Sequence, residues 1–482
     1  MRDRLLQLTR LTAGYSLASF AGPLFTIVLT PLYTRVLRPA DYAVLDTLTT
    51  LGILMLALGM LGLNGAASVY FHDGDAGHGA RVVSTAVAVG LGWSLVVALL
   101  VAAAARPLAR FSLGSEQQAH LLYLSALALP FSVFYGIMQA GLRLRLQVKA
   151  ANVLALMYLL LMAAFNVLLV LVLRWGVLGV QTANALTTLI LAVTVAVMAR
   201  WQWEPPLVRL AWPLVRSGVA FIPATLSFWA LAYVDRLLLP AYAVALHERG
   251  LYAIANKLAS TLALLVVPFQ NAWGPLALSM RDDPDAPRVY ARVMTLFLGV
   301  GLAAALALGL FAREILLVFT TRAYTAAAPY VGVLSYVGVA SGATVAVGIG
   351  AYLARRTAAL GWTTMLGAAV NVLLNVLLIP RFGVWGAVWA TAAGYVTVPV
   401  ALYLAAQRIH PLPFELRKVL AALASQAVLL FAGLLVDTGS FWLDIALKLL
   451  LLAAYPAALL ALGVIEAREA RAVLDLLRSP RA

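Results

Sequence analysis

Polar side chains inside an otherwise apolar stretch, residues 233–280, are the first candidates for chemistry in this sequence. They comprise three amides, a hydroxyl and an amine: Asn256, Lys257, Ser260, Gln270 and Asn271. Hydrocarbon cannot solvate such groups, so at membrane depth they need a water-filled cavity or a protein partner. On one continuous helix the four uncharged side chains fall within an arc of roughly 100°, with the lysine at its edge. We therefore predict that this face lines a hydrated substrate cavity.

Part of this stretch has a counterpart near the amino terminus. Residues 31–43, PLYTRVLRPADYA, align with residues 240–253 after one insertion. Similarly, RWGVLG at residues 174–179 matches RFGVWG at residues 381–386. Both pairs lie about 207 to 210 residues apart, which indicates an internal duplication.

The duplication predicts a second polar face in the amino-terminal half. In its register Asp46 aligns with Asn256, and Thr50 aligns with Ser260. On a continuous helix Asp46, Thr50 and Asn64 share one face, since steps of 4 and 18 residues rotate by about 40° and 0°. We predict that both faces point at a shared cavity. Asp46 also has a simpler interpretation, a position near the membrane surface.

Several charged residues have more than one interpretation. Three interpretations are open for Lys257: contact with substrate, a structural ion pair, or extension of the side chain to the membrane surface. Asp235 and Arg236 are adjacent and point to different sides of a helix, so we expect a bridge to another helix rather than a pair with each other. Together with Arg35 they are candidates for a gate or an ion pair.

A basic cluster follows the fourth predicted span: Arg143, Arg145 and Lys149. It is a candidate for capture of a pyrophosphate head group at the inner leaflet. Anionic lipids would attract the same charges, at about 1 kcal/mol per basic residue, and the orientation of the chain in the membrane also explains them.

The composition excludes a soluble globular protein. Hydrophobic residues make up 63% of the 482 positions, charged residues 11%, and the mean hydropathy is +0.95. The chain has no cysteine, which excludes disulfides, thiolate metal sites and a cysteine nucleophile. The net charge of +15 comes from scattered basic residues, so it indicates orientation in a membrane rather than nucleic-acid binding.

We predict an all-α polytopic membrane protein with about 14 transmembrane helices, because a span needs roughly 20 apolar residues. Two parallel-repeat six-helix bundles would surround a central cavity, followed by two additional helices. The first segment is interpreted as a retained helix rather than a cleaved signal peptide. The predicted spans are Leu11–Tyr33, Ala43–Tyr70, Val82–Ala105, His120–Gln139, Ala151–Leu173, Val177–Met198, Ser217–Pro240, Leu251–Met280, Val289–Ala312, Tyr324–Leu353, Ala358–Ile379, Val384–Ala406, Val419–Val436 and Phe441–Val464.

The loop charges predict the topology. With the amino terminus inside, 22 basic residues fall in inner segments and 10 in outer loops, so both termini should be cytoplasmic in the inner or plasma membrane. The predicted domains are an amino-terminal lobe (1–198), an interlobe linker (199–216), a carboxy-terminal lobe (217–406), two additional helices (407–464) and a cytoplasmic amphipathic tail (465–482).

The sequence does not predict an enzyme. No predicted loop exceeds roughly 20 residues, so there is no extramembrane platform for an acid, a base or a metal. The acidic cluster in RDDPDAP, residues 281–287, is typical of a solvated turn. His72 and His78 lie in a Gly-rich loop without metal-ligand spacing. We therefore expect no metal and no cofactor.

Three sets of motifs follow one another in the chain: PLYTRVLRPADYA, YVDRLLLPAY with GLYAIANKLA, and NVLLNVLLIPRFGVWGAVWATAAGY. In order and spacing they resemble the polysaccharide flippases of the multidrug, oligosaccharidyl-lipid and polysaccharide exporter superfamily, and the likeness covers about residues 10 to 405. It implies two bundles around a cavity and export of undecaprenyl-pyrophosphate-linked oligosaccharides by alternating access. It also implies work beside glycosyltransferases and a polysaccharide polymerase.

Two other functions stay open. A multidrug exporter of the same fold would antiport Na⁺ or H⁺, and would need deep acidic residues. A membrane glycosyltransferase or polymerase would need a large outer loop and a pair of catalytic carboxylates. Coupling to H⁺ or Na⁺ is also open for the flippase, since no coupling residue stands out.

Overall fold

The computed structural model describes residues 29–73, 77–199, 204–354, 356, 358–466 and 469. Within these residues the chain is helical and contains no β-strand, which confirms the all-α prediction. Most of the first predicted span, Leu11–Tyr33, lies outside the described residues; residues 29–36, which overlap its end, are helical.

Contacts divide the chain into two compact units. The first comprises Met1–Ala253 and Asn375–Ala387, and the second comprises Ile254–Leu374 and Val388–Ala482. The domain boundaries predicted from the repeat stay predictions, because this division follows contacts and not the repeat.

Nineteen α-helices are described. The first ten are α1 (Pro39–Met60), α2 (Leu63–Tyr70), α3 (His78–Ala103), α4 (Ala105–Leu113), α5 (Ala119–Leu144), α6 (Val148–Asn166), α7 (Gly176–Ala199), α8 (Val208–Val219), α9 (Ile222–Tyr233) and α10 (Asp235–Ala241). The others are α11 (Leu246–Ala259), α12 (Ala263–Ser279), α13 (Ala286–Leu310), α14 (Ala312–Phe319), α15 (Ala328–Leu353), α16 (Ala358–Phe382), α17 (Val384–Ile409), α18 (Leu416–Leu434) and α19 (Phe441–Ala461).

Twelve of the described helical segments are long and apolar enough to span a membrane. The count is 13 if α8 and α9, which meet at a bend of 41°, form one span. The described spans follow the predicted ones closely; for example, the predicted Val82–Ala105 corresponds to α3. This agreement is expected, since each span must satisfy its own backbone hydrogen bonds in lipid.

Breaks interrupt several predicted spans, among them the seventh at the bend between α8 and α9, and two of the breaks concern the predicted polar faces. Between α1 and α2, Leu61 and Gly62 adopt left-handed conformations with φ of 49° and 66°. Between α11 and α12, the short segment Ser260–Leu262 is a 3₁₀-helix. Helical phase is not carried across these breaks at 100° per residue. The predicted arcs, each of which assumed one unbroken helix, therefore do not hold across the breaks, and the role of these residues in a substrate cavity stays a prediction.

Helices α1 and α2 pack along the seventh predicted span. At mid-length the Trp229 indole N–H donates to the Thr50 carbonyl at 3.3 Å. At the far end a Cβ on Gly218 would lie 2.3 Å from the Leu61 carbonyl oxygen, so the backbones touch. Only glycine permits this approach.

Contacts inside each unit join helix ends that the sequence places on the same membrane side. The backbone N–H of Leu207 donates to the Thr85 hydroxyl at 2.9 Å, and both residues belong to predicted inner ends. In the second unit Arg292 donates to Glu415 at 3.0 Å, again at predicted inner ends. The contacts agree with the alternating arrangement of the spans.

Candidate functional site

A buried ion-pair network lies at one end of the first unit. The Arg236 side chain donates through Nε to Asp46 and through Nη1 to Asp235, each at 2.9 Å. The hydroxyl of Tyr252 donates to the second oxygen of Asp235. Asp235 and Arg236 are only 2% and 9% exposed. One guanidinium therefore holds two carboxylates where water is largely excluded.

A second arginine extends this network. Arg249 is 6% exposed and donates through Nη2 to the Thr47 hydroxyl at 2.9 Å and to the Ser112 carbonyl at 2.7 Å. The formal charges of the two aspartates and two arginines sum to zero. The network thus joins α1 and α4 to α10 and α11.

The expectation that Asp235 and Arg236 would not pair with each other was wrong. Arg236 is the second residue of α10, and its long side chain folds back far enough to reach the carboxylate of Asp235. The expected bridge to another helix is present, since Asp46 lies in α1. The third member of the predicted set, Arg35, is exposed.

A cavity of about 450 Å³ lies within the first unit, between α1, α5, α6 and α7. Its volume falls in the range of small-molecule sites, about 300–1,000 Å³. The polar lining consists of hydroxyls and amides: Thr49, Ser125, Ser132, Tyr135, Tyr158, Gln181, Asn184 and Thr188. Among the residues that the structure describes, none that lines the cavity is charged.

Sequence reasoning missed this lining, although a signal for it exists. Gln181, Asn184 and Thr188 lie at i, i+3 and i+7 of α7, a spacing that puts them on one helix face. Ser125 and Ser132 repeat the seven-residue spacing on α5. A search for polar residues with helical spacing in every span would have found this surface.

On α1 the cavity-lining face differs from the predicted polar face. Thr49 lines the cavity, whereas Thr50 is buried with 1% exposure and lies outside the lining. Asp46 is held by Arg236, with a quarter of its side chain exposed. Asn64 belongs to α2 and donates to the sulfur of Met60 at 3.4 Å. The three residues do not form one lining.

The five candidates of the eighth span are distributed over α11, the 3₁₀-helix and α12. Asn256 and Lys257 are half-buried at the end of α11, and the exposed Ser260 donates to the Lys257 carbonyl at 2.7 Å. Gln270 is half-buried and contacts Ser341 at 3.4 Å.

The fifth candidate, Asn271, is exposed on α12. Substrate contact by any of the five stays a prediction.

The predicted basic cluster surrounds the connection from α5 to α6. Arg143 is exposed and donates to Gln139 at 3.0 Å, and Lys149 is exposed. Arg145 is half-buried beside Ser84 and Ala199, and this burial lowers the pKa of its guanidinium. Two of the three charges are thus at the surface.

Ion pairs also tie the last two helices into the second unit. Lys448 in α19 donates to Glu314 in α14 at 2.5 Å, and the lysine side chain is 8% exposed. Near the opposite end Arg292 contacts Glu415 and Glu469.

These contacts perturb both glutamates. Burial raises the pKa of Glu415, but hydrogen bonds from Lys418, Thr295 and Arg292 outweigh it and lower the pKa overall. The hydrogen bond from Arg292 lowers the pKa of Glu469.

Within the described ranges no group of three His, Asp or Glu side chains is arranged to hold a metal ion.

Together these features describe a polytopic helical membrane protein with an internal polar cavity and buried ion pairs. The chain belongs to the polysaccharide biosynthesis protein family, whose model matches residues 8–281, more than half of its length. No curated protein matches the sequence. The predicted family resemblance is confirmed.

Solved structures confirm the predicted fold class. A structure of the lipid II flippase MurJ in an inward closed conformation has a TM-score of 0.71 and 12% identity, covering 93% of this chain and 98% of its own. An inward-facing multidrug resistance MATE transporter of the MOP superfamily has a TM-score of 0.64 and 13% identity, covering 80% and 94%. The Vibrio cholerae MATE transporter VcmN has a TM-score of 0.53 and 15% identity, covering 83% and 96%.

Proposed function

We propose that this chain is a flippase that moves undecaprenyl-pyrophosphate-linked oligosaccharides from the inner to the outer leaflet by alternating access, for cell-surface polysaccharide synthesis. The observation that carries the proposal is the cavity of the first unit, whose described lining combines apolar side chains with hydroxyls and amides and includes no charged residue. Sugars are uncharged and rich in hydroxyls, so hydroxyl and amide side chains that both donate and accept suit them.

The comparisons support the same choice. The family is named for polysaccharide biosynthesis. The flippase structure matches 93% of this chain, against 80% for the multidrug transporter of the MOP superfamily. The larger fraction of the chain covered by the flippase structure agrees with the presence of two further helices, α18 and α19, after the twelfth predicted span.

A cation-coupled multidrug exporter is the second candidate, favoured by the MATE structures that share the fold. Such an exporter needs a carboxylate that can bind a cation at membrane depth. The acidic residues within the predicted spans are Asp46, Asp235 and Asp444. Asp46 and Asp235 are held by Arg236, and Asp444 accepts from Thr438 at 2.7 Å near a helix end. All three have partners, which favours the flippase.

The rest of the proposal follows from the sequence. The protein would reside in the inner or plasma membrane with both termini cytoplasmic, and would work beside glycosyltransferases and a polymerase without catalysing a reaction itself. Lys257 would bind the pyrophosphate in a central cavity. Coupling to H⁺ or Na⁺ is an open part of the proposal, to be tested in proteoliposomes with imposed gradients.

The test is deletion of the gene in its host. We expect loss of surface polysaccharide, accumulation of lipid-linked oligosaccharide in the cell, and recovery of both with the wild-type gene. Unchanged polysaccharide together with new sensitivity to cationic drugs would contradict the proposal and favour the exporter.

A second test addresses the lysine. Lys257→Ala at matched membrane levels should lower surface polysaccharide, whereas Lys149→Ala, a substitution of an exposed lysine, is the charge-matched comparison. Wild-type polysaccharide in Lys257→Ala would remove that residue from the mechanism.

A further inference from the structure

We propose that the cavity of the first unit is a separate subsite that binds a neutral sugar of the lipid-linked substrate while the pyrophosphate is held elsewhere. This inference rests on the proposed function and deepens it, since it names the part of the substrate that the cavity recognises. The argument uses the lining residues, their chemistry and the space beside one glycine.

The polar side chains of the lining follow one another along the cavity. The Ser125 hydroxyl lies 3.3 Å from the side-chain oxygen of Gln181, and Asn184 and Thr188 continue the same face of α7. Each of these groups can donate and accept hydrogen bonds, as can a sugar hydroxyl. A ligand with several hydroxyls can therefore be bound along α7 from Gln181 to Thr188.

Other lining residues supply apolar surface. The rings of Tyr135 and Tyr158 are stacked, with centroids 6.5 Å apart and planes inclined by 13°. Met55 and Met162 also line the cavity. Sugar rings carry C–H groups on their faces, and such faces pack on aromatic and thioether side chains. The cavity thus offers hydrogen-bonding groups for the hydroxyls of a sugar and apolar surface for the faces of its ring.

The charge of the lining excludes the other parts of the substrate. A pyrophosphate buried here would have no Lys or Arg among the described lining residues to balance its charge. An organic cation would likewise meet no carboxylate among those residues. A polyprenyl chain has no hydrogen-bonding groups and would make no use of the amides of Gln181 and Asn184. The uncharged sugar is the part that matches.

Gly52 gives a way to fill the cavity without disturbing the fold. It lies within α1, lines the cavity, and a Cβ built on it meets nothing within 4 Å. A larger side chain therefore enters the cavity itself. Gly92 in α3 is the matched control, because a Cβ there also meets nothing within 4 Å and the residue is exposed.

The first experiment compares Gly52→Ala, Gly52→Leu and Gly52→Phe with the same series at Gly92, at equal membrane levels. We expect surface polysaccharide to fall with side-chain size at position 52, by at least tenfold for phenylalanine. The series at position 92 should stay at the wild-type level. Equal results at the two positions in a host where the deletion removes polysaccharide would overturn the subsite and leave the proposed function standing.

The second experiment measures binding directly. Because the chain has no cysteine, Asn184→Cys is a single reactive thiol inside the cavity. Its maleimide labelling rate is measured in purified protein with the lipid-linked oligosaccharide extracted from the deletion host, and with undecaprenyl pyrophosphate that carries no sugar. We expect the sugar-bearing lipid to slow labelling at least tenfold and the bare lipid to have no effect. Equal slowing by both lipids, or slowing by neither, would overturn the proposal.

Discussion

Removal of the Arg236 side-chain charge should be among the most damaging single changes in the first unit. Arg236→Gln removes the charge that contacts both Asp46 and Asp235, and Asp235 is 2% exposed. Breaking a buried pair by removing one partner costs about 3–5 kcal/mol, since the remaining charge stays buried. Asp46→Asn should cost less, about 1–2 kcal/mol, because Arg236 keeps Asp235 and a quarter of the Asp46 side chain is exposed.

An exposed ion pair of the same unit provides the control. Arg110 contacts Glu116 at 3.5 Å, and their side chains are 78% and 51% exposed. Arg110→Gln should therefore cost about 0–1 kcal/mol. The assay is thermal unfolding of the purified variants in one detergent, ranked by apparent melting temperature. Equal losses in Arg236→Gln and Arg110→Gln would refute the reasoning, because burial would then have no bearing on the cost.

Three further predictions concern single contacts. Lys448→Met should destabilise the protein by about 3–5 kcal/mol in thermal unfolding by leaving Glu314 without its counter-ion, and adding Glu314→Gln should recover part of the loss; full loss in the double variant would contradict this. Gly218→Ala should cost about 1–3 kcal/mol because its Cβ would meet the Leu61 carbonyl, whereas Gly274→Ala in open space should be neutral or gain up to about 1 kcal/mol. The pKa values of Glu415 and Glu469 are lowered in the folded protein, so their ionised forms stabilise it above the ordinary pKa of 4.5. This stabilisation is lost as the pH falls through the lowered pKa values. Melting temperatures measured below pH 4.5 should therefore fall less steeply in Arg292→Gln than in the wild type.

Spans were predictable from the sequence because apolar length and isolated charges report directly on the membrane. The break at Leu61 and Gly62 was not, since GMLGLNG contains no proline and a glycine inside a transmembrane helix is common. At the break the backbone lies against Gly218, which is far away in sequence. The positions where helices begin and end can thus be predicted from nearby residues, whereas the rotation of one helix relative to the next across a break cannot.

The candidate site was predictable only in part. Asp46, Asp235 and Arg236 were identified because charges at membrane depth are rare, and their pairing required the fold. The cavity lining was missed because serine, threonine and asparagine are individually unremarkable in spans. Only their spacing on α5 and α7 distinguishes them, together with their convergence on one space.

The packing of α1 and α2 along the seventh span bears on the route of a lipid tail. Three contacts hold this seam, the packing of α1 and α2 against the seventh span, together. Asp46 pairs with Arg236 at one end, the Trp229 indole bonds to Thr50 in the middle, and the Gly218 backbone touches Leu61 at the other end. An isoprenoid chain threading between these helices would have to displace all three. Its portal should therefore lie along another pair of helices.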